Sequence, residues 1–313
     1  MTGVRWQPTI VGVDTSPESV DAVQLGWALA EAAGTPCRLI HATPEAWTVP
    51  TAPHTFAMKP EALNESARAA ASTAVVEALA GKVPDAALAA LEVRTGRGAA
   101  VLRDAAREGP AGVVVLGGKH HSLLGRWVVG STAHTLVRSL EIPLLVSAHV
   151  PLPIRRVVAA VDLSDAAGPT LQAAERYAEL FGAALHVLHV VEPLPIIPDT
   201  PLQFNDEEVF ARSREHLERY VWPRMEYPGA TSGLRRGAAV DGITAEVEDR
   251  KAELVVLGSH GKGWVDRILI GSLTERVLGA LPCSMLVVPV LGPTDHHRTR
   301  PRESERSSEV PAR

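Results

Sequence analysis

Leu254-Val255-Val256-Leu257-Gly258-Ser259-His260-Gly261, then nine residues, then Gly271-Ser272, is the stretch on which the reading of this chain turns. A short, continuously apolar run ending at glycine reads as a strand buried on both faces, as in a parallel sheet. The Gly-Ser pair opens a run over residues 272–278 that reads as a helix. Glycines let a backbone come close to an anion. The first N–H groups of a helix, at the positive end of its dipole, bind phosphate. Gly258, Gly261, Gly271 and Ser272 therefore read as a phosphate cradle. It sits at the carboxyl end of a strand, where open α/β sheets take ligands.

Working outward, the chain repeats itself. Thr9-Ile10-Val11-Gly12-Val13-Asp14 is followed by Thr15-Ser16-Pro17, and Arg156-Val157-Val158-Ala159-Ala160-Val161-Asp162 by Leu163-Ser164-Asp165. Asp14 and Asp162 lie 148 positions apart (162 − 14), as do Gly34 and Gly182 (182 − 34). Gly96 and Gly237, Gly117 and Gly258, and Gly130 and Gly271 are each 141 apart (258 − 117), and Pro143 and Pro282 are 139 apart (282 − 143). Landmarks in the same order, at an offset that changes only twice, read as a duplication with short length changes in loops. Pro151 and Pro153 mark the linker. The expected units are 1–150 and 151–291, followed by a polar, disordered tail over 292–313.

Each half alternates strand and helix. In the first, strands are expected at 9–13, 37–42, 88–94, 112–116 and 143–147, with helices at 17–33, 61–80, 99–106 and 131–139. Ser16 reads as the N-cap and Pro17 as the first helical residue, and Gly34 closes that helix. In the second half strands are expected at 157–161, 184–191, 233–236, 254–257 and 284–288, with helices at 166–181, 207–220, 240–250 and 272–278. Proline-rich stretches at 43–60 and 193–201 read as loops. Alternating β and α elements with apolar strands give an α/β fold: two tandem, doubly wound, parallel-sheet domains. The last strand of each half is a sheet edge, and edges need covering. The two are expected to pair within the chain as an internal pseudo-dimer. A homodimer of such molecules is compatible with that arrangement.

With 313 residues, 46% of them hydrophobic and 21% charged, the chain has material for two cores. Its net charge of −5 draws it neither to nucleic acid nor to an anionic membrane, and 4% aromatics argue against base-stacking platforms. No apolar run approaches the ~20 residues of a membrane helix, and no signal peptide is read at the N-terminus, so a cytoplasmic protein is expected. Cys37 and Cys283 read as buried free thiols.

The pattern Gly-x2-Gly-x9-Gly-Ser, the Val-Asp-x-Ser first turn and the closing Ser284-Met285-Leu286-Val287-Val288-Pro289 resemble the universal stress protein family. The resemblance covers both halves, about residues 9–290. It implies five-stranded sheets with the first strand central, of the adenine nucleotide alpha hydrolase-like, Rossmann-like kind, and ATP as ligand. Carried over by position, Asp162, Gly258, Gly261, Gly271 and Ser272 surround phosphate and ribose, and the backbone of Val190 meets adenine. The matching positions in the first half are Asp14, Ala42, Gly117, Gly130 and Ser131. At the end of the first strand of its half, Asp162 is expected near the same crevice, to hold a phosphate-bound Mg²⁺ through water or to bond to the ligand itself.

The first half departs from the pattern. Gly117-Gly118-Lys119-His120-His121 puts His120 where the second half has Gly261. A Cβ there crowds a phosphate, unless Gly118 shifts the turn or the basic side chains meet the phosphate themselves. As bland readings, Asp14 and Asp162 cap the following turn; His41, His186 and His189 are hydrogen-bonded core residues; Lys119, His120 and His121 are solvated loop residues. Arg155 and Arg156 read as solvated, and Arg235 as solvated or facing a phosphate. No P-loop, nucleophile elbow or zinc motif is present. Asp162, His260 and Ser272 are triad types without a sign that they meet. The chain therefore reads as a regulatory ATP-binding protein with at most slow hydrolysis. The alternative is an interaction module of the same fold without nucleotide. A ligase or an electron-transfer subunit has fold analogy alone behind it.

Overall fold

A computed structural model describes residues 5–45, 60–121, 126–128, 130–148, 151–164, 167–193, 206–259 and 271–290. The first half runs β1 (Thr9–Gly12), α1 (Glu18–Ala33), β2 (Cys37–Thr43), α2 (Pro60–Leu79), α3 (Asp85–Ala89), β3 (Leu91–Thr95), α4 (Gly98–Glu108) and β4 (Val113–Gly117). It ends with β5 (Lys119–His121), β6 (Arg126–Val128), α5 (Ser131–Ser139) and β7 (Leu144–Ser147). The second runs β8 (Arg156–Ala160), α6 (Ala167–Phe181), β9 (Ala184–Val191), α7 (Asp206–Tyr220), β10 (Thr231–Arg236), α8 (Ala239–Arg250), β11 (Leu254–Gly258), α9 (Ser272–Ala280) and β12 (Ser284–Val288).

Ten of these strands form one sheet in the order β10-β9-β8-β11-β12-β7-β4-β1-β2-β3. Within each half the neighbours are parallel, with β1 and β8 central as expected. The seam is antiparallel: Met285 faces Val146, Leu286 faces Leu145 and Val287 faces Leu144. The two terminal strands thus cover each other, and two five-stranded sheets become one.

Strand residues alternate between the two faces, and each face carries a core. On one, Val11, Leu145, Leu286 and Val256 pack with α1 and α6, represented by Leu29 and Leu171. On the other, Ile10, Val146, Met285 and Val255 pack with Leu136 of α5 and Val277 of α9. Both cores run through both halves, so the seam is buried and continuous.

Helices α1 and α6 end as the sequence reading expects, on Gly34 (φ 62°) and Gly182 (φ 60°), where a left-handed residue frees the chain to turn into the next strand. Three local expectations change. Helix α1 starts at Glu18, with Pro17 in the capping position and Ser16 turned back to Asp14. The strand expected at 88–94 begins only at Leu91, because the turn after Pro84 forms α3 and pairing with β2 starts at Leu39–Leu91. Lys119–His121 is not loop but β5, antiparallel to β6, and β6 lies along α9 of the other half.

Candidate functional site

Strands β8, β9 and β11 end side by side, and above their carboxyl ends opens a cavity of about 420 Å³. It is lined by Asp162, Val190, Gly258, Gly271 and Ser272, five of the positions singled out in the second half. Gly261, the sixth, lies outside the described residues, as do His260, the remaining loop to Ile270 and the tail from residue 291.

The floor is built from local chemistry. Asp162 Oδ1 accepts hydrogen bonds from the N–H and the hydroxyl of Ser164, so the aspartate shapes its own turn while lining the cavity. Helix α9 opens on Gly271, and no side chain among the described residues caps it. The first intrahelical bond is donated by Glu275 N–H to Gly271 O at 3.0 Å. The N–H groups of Ser272, Leu273 and Thr274 precede that bond and make up the positive end of the helix. Gly271 differs from expectation in one respect: its own N–H donates to Ser259 O at 2.9 Å. Its contribution is therefore the absence of a side chain, and the donors are the three residues after it. Thr274 Oγ1 donates to Gly258 O at 2.7 Å and pins this first turn to the end of β11.

His189 also lines the cavity, with Nδ1 2.8 Å from Val161 O. A carbonyl only accepts, so Nδ1 carries a proton. The first half repeats this bond between His41 Nδ1 and Val13 O at 2.8 Å. Both rings are hydrogen-bonded as the sequence reading expects, yet they face the cavities as well. Position along the strand leaves that unread.

A cavity of about 260 Å³ occupies the equivalent place in the first half, lined by Asp14, Ala42, Gly117, Gly130 and Ser131. Asp14 Oδ1 accepts from Ser16 N–H, from the Ser16 hydroxyl and from Ser19 Oγ. Gly117 has a packing reason of its own: a Cβ there would stand 2.5 Å from Glu18 O. A Cβ at Gly118 would strike the Leu281 side chain from the second half.

Arg235 and Arg156 are engaged elsewhere. Arg235 does not line the large cavity; it pairs with Glu246 and Asp249 along α8. Arg156 pairs with Glu253, whose Oε2 also accepts the Arg155 and Arg156 N–H groups. Beside this charged edge, His186 is buried between Thr231 and Glu246. Cys283 is buried and Cys37 half-buried, both as free thiols, and burial pushes the Cys37 thiol up to about 12.

The universal stress protein family model matches twice, over residues 6–148 and 153–289. The chain belongs to the universal stress protein family. A universal stress protein of Mycolicibacterium smegmatis is 31% identical over 291 residues, covering 89% of this chain and 96% of that one. A single-unit relative from Thermus aquaticus is 30% identical over 137 residues, 43% of this chain and 98% of its own length. Among solved structures, a universal stress protein from Archaeoglobus fulgidus superposes with a TM-score of 0.65 at 19% identity, covering 90% of this chain and 98% of that one. This likeness extends the tandem fold across nearly the whole chain.

Two further features of the larger cavity are missed from sequence. Helix α7 contributes Val209 and Ser213 as a wall, which follows from tertiary packing alone. Glu192, directly after β9, lines the cavity and accepts the Ala239 N–H at 2.9 Å. An acid directly after the second strand of the α/β unit is the signal that marks it.

Proposed function

We propose that this universal stress protein binds ATP in the cavity of its second half and acts as a regulatory, ligand-dependent protein of the cytoplasm. The units would be residues 1–150 and 151–291. The observation that carries the reading is the uncapped start of α9, opening without a side chain at Gly271 onto a cavity of about 420 Å³. That volume lies in the range of small-molecule sites, roughly 300–1,000 Å³. The phosphates would lie on the Ser272–Thr274 N–H groups, the ribose above Asp162 and the base against the Val190 backbone.

Asp162 and Glu192 are the carboxylates among the described lining residues, and no Lys or Arg is among them. A triphosphate near Asp162, in a cavity whose described lining offers no Lys or Arg, calls for a counter-charge, which Mg²⁺ held through water by Asp162 would supply. The Ser272 hydroxyl starts a helix beside the cavity, with no base hydrogen-bonded to it among the described residues. The reading is therefore of binding rather than turnover.

The first cavity supports a second reading. At about 260 Å³ it falls below the usual range, and the run after Gly118 is drawn into the β5–β6 hairpin beside α9. There the fold serves as an interaction module. Denaturing the purified protein and quantifying the released nucleotide tests both readings. One adenine nucleotide per chain, lost in Gly271→Asp, is expected. Protein that carries none, and gains no thermal stability from MgATP, overturns the proposal.

A further inference from the structure

We propose that Glu192 is the residue by which the second cavity selects its base, accepting a hydrogen bond from an exocyclic amine. The inference rests on the nucleotide reading above and deepens it. Across the cavity the strand ends run β11, β8, β9, so Gly258, Asp162 and Glu192 follow one another from one end to the other. Adjacent strands are ~4.8 Å apart, which sets Glu192 about 10 Å from the cradle. Phosphates on the start of α9 leave the ribose above β8 and bring the base to β9.

The exposed carboxylate at that end is anchored through one oxygen. Glu192 Oε1 accepts the Ala239 N–H at 2.9 Å at the start of α8, and Oε2 has no hydrogen-bond partner among the described residues. An ionised carboxylate only accepts, so it favours a donor on the base and repels a carbonyl. The 6-amino group of adenine meets that demand, and the 6-keto group of hypoxanthine or guanine does not. Among the described residues the first half has no counterpart to Glu192. The matching position is Pro44 (192 − 148), and neither Pro44 nor Glu45 lines the smaller cavity.

The test is calorimetric titration of the full-length chain with MgATP, MgITP, MgGTP and the 2′-deoxy analogue of MgATP, for wild type and Glu192→Gln. A single hydrogen bond to a charged group predicts that wild type prefers ATP over ITP by about 10- to 100-fold. The deoxy analogue is expected to bind as ATP does, which separates the base amine from the ribose hydroxyl as the donor. In Glu192→Gln the amide oxygen keeps the Ala239 bond and its NH₂ faces the base, so ATP weakens, ITP strengthens and the preference collapses. A role confined to capping α8 would weaken both nucleotides alike and leave their ratio unchanged. That result, equal binding of ATP and ITP by wild type, GTP bound as well as ATP, or discrimination by the 2′-hydroxyl instead, overturns the inference while the nucleotide reading stands. If wild type binds no nucleotide, the nucleotide reading falls and this one with it.

Discussion

A Cβ at Gly118 would run into Leu281 and come within 2.9 Å of Ser147 O. The matched residue of the second half, Ser259 (118 + 141), instead carries a hydroxyl that accepts the Val290 N–H at 3.1 Å. One position thus serves seam packing in one half and loop closure in the other. Gly118→Ala is expected to destabilise the protein by about 1–3 kcal/mol through overpacking. An unchanged urea midpoint would show that Leu281 yields without cost. His186 makes a second argument at this scale. It is 5% exposed, and burial, aided by the Arg250 and Arg235 charges, outweighs attraction to Glu246 and lowers its pKa to about 4. Its folded value lies below the unfolded value of about 6.5, so between those limits the unfolded chain binds more protons. The contribution of His186 is therefore complete above about pH 6.5 and declines as pH falls toward 4. Melting temperatures between pH 7 and 4.5 are expected to fall less steeply in His186→Gln than in wild type. Parallel curves would remove His186 from the account.

At the scale of elements, the seam is the most consequential pairing. Val146 faces Met285 across it and pairs with Leu116 of β4 on its other side. Proline there removes a ladder donor inside a central strand, where it is scarcely tolerated. Val146→Pro is expected to cost about 3 kcal/mol or more and to split one calorimetric transition into two. A single transition at the wild-type temperature would mean that the pairing contributes nothing. The seam is legible in sequence because a hydrophobic final strand in each half must hide its edge. Gly258, Gly271 and Ser272 are legible because they fall within a short span and line the cavity where the pattern places them. Glu192 is harder to read, since only the topology shows that the end of β9 faces the cradle across β8. The β5–β6 hairpin is unread for a related reason. Nothing local in Lys119-His120-His121 favours a strand, and the pairing with Arg126–Val128 is a tertiary outcome.

On the scale of the whole molecule, one sheet and two shared cores make the halves a single mechanical unit. Where both cores cross the seam, unfolding one half strips the other of packing, so the halves are expected to melt together. A ligand of the second cavity then stabilises the first half too. Binding to the folded state alone raises stability by RT ln(1 + [L]/Kd), about 2.7 kcal/mol at a hundredfold excess over Kd. Saturating MgATP is therefore expected to move one cooperative transition upward as a whole. Hydrogen exchange should slow in β1 and β4 as well as in β8 and β11, because exchange from these central strands passes through global opening. In Val146→Pro the same nucleotide should protect the second half alone. Protection confined to the second half in wild type would show the two halves opening independently despite their common sheet.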